Sequence, residues 1–206
     1  RNALKDARQN IAEAFVRSSR KRENHLLWAP PGSGKTYFVQ QVGASLSSEV
    51  QYHELNLAKC SQQEFLSSLK ELETSSGPCL CLVDEVDAKR GEAWPYETLL
   101  PYLDAAVDRG ARFVFVLAGS SGSSLPEMKQ GIASRPKGTD LLSRIPVTNE
   151  YMIPPMSIGD RILVMLSQFR QAGKEAGKVV QGVEKLGLCF VALSPRLANA
   201  RQLREF

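Results

Sequence analysis

Apolar positions along the chain alternate between helical and strand-like spacing, and the alternation divides it into elements. Leu4, Ile11, Ala12, Phe15 and Val16 fall at helical spacings, with a basic end at Arg17, Arg20, Lys21 and Arg22 that suits a helix C-terminus. His25-Leu26-Leu27-Trp28 is a short apolar run closed by Ala-Pro-Pro-Gly-Ser-Gly, and Lys35 to about Leu46 is helical again. A second strand is expected at Gln51 to Asn56. Ser61-Gln62-Gln63-Glu64 has the form of a capping box, in which Ser and Glu satisfy each other's free amides, and it opens a helix to about Leu72. After the turn cluster Thr74 to Pro78, Leu80-Cys81-Leu82-Val83 is apolar at every position, as a strand covered on both faces of a parallel sheet must be.

Pro95 begins a helix expected to end near Arg109, with Gly110 as its left-handed cap, and Arg112 to Leu117 reads as a fourth strand. A short helix is expected after Ser124, and a fifth strand at Val147 to Ile153. Alternation of strand and helix through five units implies an α/β fold: a five-stranded parallel sheet sandwiched by helices, because each right-handed crossover lays a helix over the sheet. Pro154-Pro155 then breaks the chain, and only helical signals follow: Ser157 to Ala172 with Gly173 as a stop, a weaker pattern over Val179 to Leu193, and a last helix opened by Ser194-Pro195. The expected organisation is an α/β domain over 1–155 and a small all-helical subdomain over 156–206.

The length of 206 residues suits one such unit. A net charge of +4 is far below the dense basic stripe of a dedicated nucleic-acid binder, yet it leaves binding to nucleic acid through a local patch open. The longest good apolar run, Phe113 to Gly119, is well short of the roughly 20 residues needed to span a bilayer, so membrane insertion is not expected. The chain begins at Arg1 without a Met and stops inside a helical pattern, as expected for a piece of something longer with flanking domains. Cys79 and Cys81 share one face of a strand and are poorly placed to bridge each other. They are expected to be core thiols in a cytosolic, reducing setting.

The string Ala29-Pro30-Pro31-Gly32-Ser33-Gly34-Lys35-Thr36 matches a phosphate-loop pattern except at Ala29, where the pattern has Gly, and it lies between a strand and a helix as the pattern requires. In the loop Pro31-Gly32-Ser33-Gly34, Gly32 and Gly34 supply the freedom that lets successive amides turn toward a triphosphate at the helix N-terminus. Lys35 can reach the outer phosphates, and Thr36 can offer its hydroxyl to Mg2+. The buried third strand ends in Asp84-Glu85. Asp84 is expected to hold the metal through water, with Glu85 as general base. Asp87 suits either the metal shell or a loop cap.

In this motif order the chain resembles the AAA+ ATPases, over nearly its whole length. The resemblance implies ATP and Mg2+ as ligands, a homo-oligomeric ring or spiral, often of six subunits, and hydrolysis coupled to remodelling or movement of a macromolecular partner. It places the first sensor at Ser120, with Ser121 as the alternative. It places the arginine finger, which acts on the neighbouring subunit, at Arg144 within Asp140 to Ile145, with Arg135 as a second candidate and a surface ion pair as the ordinary alternative for Arg144. It places the second sensor of the helical lid at Arg201, on a helix that also carries Arg196 and Arg204. No aromatic-glycine loop stands between the second and third strands, so the element that contacts a substrate is not identified; Trp94, Tyr96 and the Ser/Gly loop near residue 120 could contribute, but Trp and Tyr at the start of a helix are more often packing residues. A nucleotide-dependent switch or scaffold with slow hydrolysis is the competing expectation.

Overall fold

Successive residues of the central strands point to opposite sides, and each side meets its own set of helices. The computed structural model describes residues 2–16, 23–74, 77–104 and 113–205. The basic run at Arg17 to Arg22 and the turn expected around Arg109 and Gly110 lie outside the described residues. The strands are β1 (Glu23–Trp28), β2 (Gln51–Asn56), β3 (Cys79–Asp84), β4 (Phe113–Gly119) and β5 (Glu150–Met152). The helices are α1 (Asn2–Val16), α2 (Lys35–Ala44), α3 (Gln62–Thr74), α4 (Trp94–Leu103), α5 (Leu125–Ala133), α6 (Gly138–Ser143), α7 (Ile158–Glu175), α8 (Lys185–Leu193) and α9 (Ala200–Glu205). The chain divides into two compact units: Arg1–Ala29 with Lys35–Ile153, and Pro30–Gly34 with Pro154–Phe206.

All strand pairs in the first unit are parallel, in the order β2-β3-β4-β1-β5. Leu26, Trp28, Cys79, Cys81, Val83, Phe113, Phe115 and Leu117 pack with α3 to α6 through Phe65, Leu69, Tyr96, Leu99, Met128, Ile132 and Leu141. The alternate residues Leu27, Leu80, Leu82, Val114, Val116 and Ala118 pack with Ala7, Ile11 and Ala14 of α1 and Val39 and Val42 of α2. The expected sandwich is therefore the observed one. Cys79 and Cys81 are free and buried on one face, as expected, while Cys60 is half-buried and Cys189 exposed. The capping box at α3 also forms: the Ser61 amide donates to Glu64 at 2.8 Å and the Glu64 amide to the Ser61 hydroxyl at 3.3 Å.

Several boundaries differ from expectation. Within 147–153 only Glu150–Met152 pairs as strand, because Val147–Asn149 forms a 3-10 turn after Pro146, and the Asn149 side-chain amide donates to the Asn24 carbonyl. α4 ends at Leu103, where Asp104 turns to extended backbone. In the second unit, Gly173 does not stop the helix. It is buried inside α7, and a Cβ there would meet Val180 at 2.7 Å, so the glycine admits the returning chain. The left-handed stop is Gly177, at φ 64°, two residues past the helix end. Val179 to Leu193 is helical only from Lys185, where the Glu184 carboxylate caps the amides of Leu186 and Gly187. Ser194-Pro195 opens a 3-10 turn, and α9 starts later, behind an Asn199 that accepts from the Gln202 amide at 3.0 Å. A small core of Met165, Ala192 and Leu203 holds these helices together. No helix among the described residues is long and apolar enough to cross a membrane.

His25 on β1 is fully buried. It stacks on Tyr151, its Nδ1 lies 3.3 Å from the Tyr151 hydroxyl, and its Nε2 has no partner among the described residues. Burial lowers its pKa from the usual 6.5 to about 4. A histidine whose folded pKa is depressed is neutral in the fold, and the unfolded chain takes up the proton first as pH falls. Its contribution to stability is therefore intact above pH 6.5 and is lost between pH 6.5 and about 4, by about 3 kcal/mol in all. Denaturant titrations across this range are expected to show that loss, and His25→Phe is expected to flatten it.

Candidate functional site

Parallel pairing of β3 with β4 puts both of their carboxyl ends at one edge of the sheet, and the site residues of the first unit gather there. Thr36, in the first turn of α2, donates its hydroxyl to Asp84 Oδ2 at 2.9 Å. The other oxygen of Asp84 accepts the Glu85 amide at 2.9 Å. Asp84 is only 6% exposed, so its charge is held by these donors and not by bulk water. Lys35 is 7% exposed and makes no hydrogen bond or ion pair among the described residues. A nearly buried ammonium without an anion fits a phosphate-bearing ligand, and a carboxylate joined to a hydroxyl fits an oxygen-seeking divalent cation.

Glu85 leaves β3 with φ 55°, a left-handed conformation that is costly for a residue with a side chain. Its Oε2 accepts the Ser120 hydroxyl at 3.3 Å. Ser120 follows β4, and its amide together with that of Ser121 donates to Asp87 Oδ2. Asp87, 5% exposed, thus caps the β4 loop. The Trp28 indole donates to the Ser121 carbonyl at 3.0 Å, tying the same loop to β1.

In the second unit, Gly32 at φ 75° and Gly34 at φ 87° are left-handed, which a Cβ would penalise, and Ser33 folds back to donate through its amide and hydroxyl to the Pro30 carbonyl. Pro31 is exposed. A Cβ on Gly32 would meet the Asn199 side chain at 2.7 Å. Arg201 and Arg196 are exposed on the helical segment of that unit.

Arg144 lies elsewhere. Its carbonyl accepts the side-chain amide of Asn24, near the start of β1, so it sits at the amino edge of the sheet, opposite Glu85 and Ser120. Its guanidinium donates to the Asp140 carbonyl at 2.8 Å and the Ser143 hydroxyl at 3.2 Å, and lies 3.7 Å from Asp104. Arg135 is tied inside its own chain to the carbonyls of Asp87 and Ala88 and to the Tyr96 hydroxyl. Tyr96 is 1% exposed and donates to the Val86 carbonyl, so it belongs to the core and not to a substrate surface. Burial pushes its hydroxyl up to about 12, which keeps it a donor. Trp94 is half-buried, edge-on to Phe65, with the Lys89 ammonium 5.9 Å from its ring. The Arg135 and Tyr96 contacts had no signal in residue spacing, because they join segments 39 residues apart.

The profile of the ATPase family associated with various cellular activities (AAA) matches residues 25–134, more than half of the chain, and the chain belongs to that family. Among solved structures it is similar to two point mutants of RuvB from Thermotoga maritima. A proline-to-glycine mutant has a TM-score of 0.69 at 16% identity, covering 99% of this chain and 60% of that one. A lysine-to-arginine mutant has a TM-score of 0.65 at 16% identity, covering 99% and 59%. The chain thus spans about 60% of the length of these neighbours, and the likeness is one of fold. No curated protein sequence gives a significant match.

Removing the Tyr96 hydroxyl takes away the donor to the Val86 carbonyl. Tyr96→Phe is expected to cost about 1–2 kcal/mol in urea unfolding, the usual cost of stranding a buried polar group, with far-UV circular dichroism unchanged.

Proposed function

We propose that the chain binds ATP with Mg2+, hydrolyses the β–γ phosphoanhydride bond, assembles with further copies of itself, and couples turnover to remodelling or moving a partner. The observation that carries this reading is the meeting of Thr36, Asp84, Glu85 and Ser120 at the carboxyl edge, next to a Lys35 ammonium with no anion of its own. The loop Pro31-Gly32-Ser33-Gly34 would wrap the phosphates, with the amides of Gly32 and Gly34 facing them, and Lys35 would neutralise the outer oxygens. Thr36 would hold the metal directly and Asp84 through water. When bound, Mg2+ draws negative charge from the phosphate oxygens and so favours attack at phosphorus. Glu85 would take the proton of the attacking water as its oxygen bonds to the γ-phosphorus and ADP leaves, and Ser120 would orient that water.

Arg144 is too far from Glu85 to serve its own site, since the two occupy opposite edges of the sheet. Its position supports a role in completing the site of an adjacent copy, where a planar, permanently charged donor meets charge on the transferred phosphoryl group. Arg201, from a helical lid over 156–206, would contact the γ-phosphate.

Calorimetry and phosphate release test the reading together. Lys35→Ala is expected to lose ATP binding. Glu85→Gln is expected to bind ATP and lose turnover by roughly 10²- to 10⁴-fold. Arg144→Ala is expected to lose turnover in the assembly by about 10³-fold with affinity little changed. Light scattering is expected to show growth of the assembly with a non-hydrolysable analogue. A monomer that turns over at full rate without Arg144 contradicts the shared site, and assembly without turnover supports a nucleotide-dependent switch instead.

A further inference from the structure

The four residues after β3, Glu85 to Ala88, form a loop whose backbone groups are nearly all engaged. The Val86 amide donates to the Ala118 carbonyl at 2.9 Å, and the Ala88 amide to the Glu85 carbonyl at 2.8 Å. The Val86 carbonyl accepts the Tyr96 hydroxyl at 3.1 Å. Arg135 covers the remaining carbonyls: one terminal nitrogen donates to Asp87, the other to Ala88 at 2.7 Å and to the Tyr96 oxygen at 3.1 Å. Its guanidinium carbon also lies 5.7 Å from the centre of the Tyr96 ring. A planar fork reaches these three acceptors from two separated nitrogens, whereas the three donors of a lysine ammonium all diverge from one nitrogen.

The Asp87 side chain extends this clamp to the other strand. Its buried carboxylate takes the amides of Ser120 and Ser121, residues 33 and 34 positions further along the chain. Ser120 in turn donates its hydroxyl to Glu85. The contacts close a ring that runs from Glu85 along the loop to Asp87, across to Ser120 and back to the Glu85 carboxylate. Arg135 holds the outer side of that ring. A strained, left-handed Glu85 keeps its place only if its surroundings over-determine it, and this ring does so.

We infer that Asp87 and Arg135 are positioning residues for ATP hydrolysis: together they fix where the Glu85 carboxylate and the Ser120 hydroxyl stand, without touching nucleotide or water themselves. The inference rests on the reading of Glu85 as general base. By residue type alone Asp87 suits the metal shell or a loop cap, and Arg135 suits the neighbouring subunit. The geometry gives Asp87 the cap and commits Arg135 to its own chain.

Two measurements test the inference, both on the full chain. In 15N–1H spectra the Ser120 and Ser121 amide protons are expected downfield, as donors to a carboxylate, and Asp87→Asn is expected to move both upfield while the other strand amides stay in place. In phosphate-release assays, Asp87→Asn and Arg135→Ala are expected to lower kcat by roughly 10- to 100-fold, the order that about 1 Å of misplacement brings, with KM for ATP within about twofold. Guanidinium at low millimolar concentration is expected to restore part of the Arg135→Ala loss, and methylammonium is not. Unmoved Ser120 and Ser121 amides overturn the inference. So do kcat values within about twofold of wild type where Glu85→Gln has lost turnover, and that result leaves the base reading standing. A fall in ATP affinity parallel to kcat overturns it as a general collapse of the site. Retained turnover in Glu85→Gln overturns the base reading and the inference together.

Discussion

Parallel pairing of β3 with β4 is the constraint on which the site depends. Cys79 is in register with Phe113 and Val83 with Leu117, so the strands leave the sheet side by side. Asp84-Glu85 and Ser120 are separated by more than thirty residues, and register alone brings them within hydrogen-bond reach. An antiparallel pairing of the same two strands would send them to opposite edges. The register is held by burial on both faces: every residue of β3 and β4 is buried, and a one-residue slip would exchange the sets packed on α3–α6 and on α1–α2.

Once that edge is set, the chemistry divides along the chain. Thr36 and Lys35 come from the start of a helix, where small preceding residues and free amides suit an anion. Asp84 ends a strand buried at every position, and the half-buried Glu85 follows it. Arg144 comes from the far edge, which no rotamer change can bring to Glu85 of the same chain. The chain belongs to the AAA family, and the RuvB neighbours share the architecture at only 16% identity. The fold is therefore carried by pattern and register far more than by particular residues.

The pattern of apolar positions was sufficient for the sheet and its two helical layers, because burial on both faces leaves Leu80 to Val83 and Phe113 to Leu117 without a polar residue. The candidate site was legible where chemistry is local: Gly32 to Thr36 in one string, Asp84-Glu85 at one strand end. What was not legible depended on distant partners. Arg135 could be offered to a neighbouring copy because the carbonyls it bonds leave no mark on residue type, and the packing role favoured for Tyr96 could not be tied to a partner because its hydroxyl bond to Val86 is equally invisible. Gly173 misled for a related reason. A glycine is demanded both by a left-handed turn and by a close backbone approach, and here the second applied while Gly177 took the first.

On the proposed reading of Glu85 as general base, its left-handed backbone sets stability against activity at a single residue. Were variants of this chain selected for heat resistance alone, glycine would relax the torsion there and remove the carboxylate in the same step. A robust but inert protein would be the product. Breeding a sturdier form that keeps the acid would require mending the fold somewhere else.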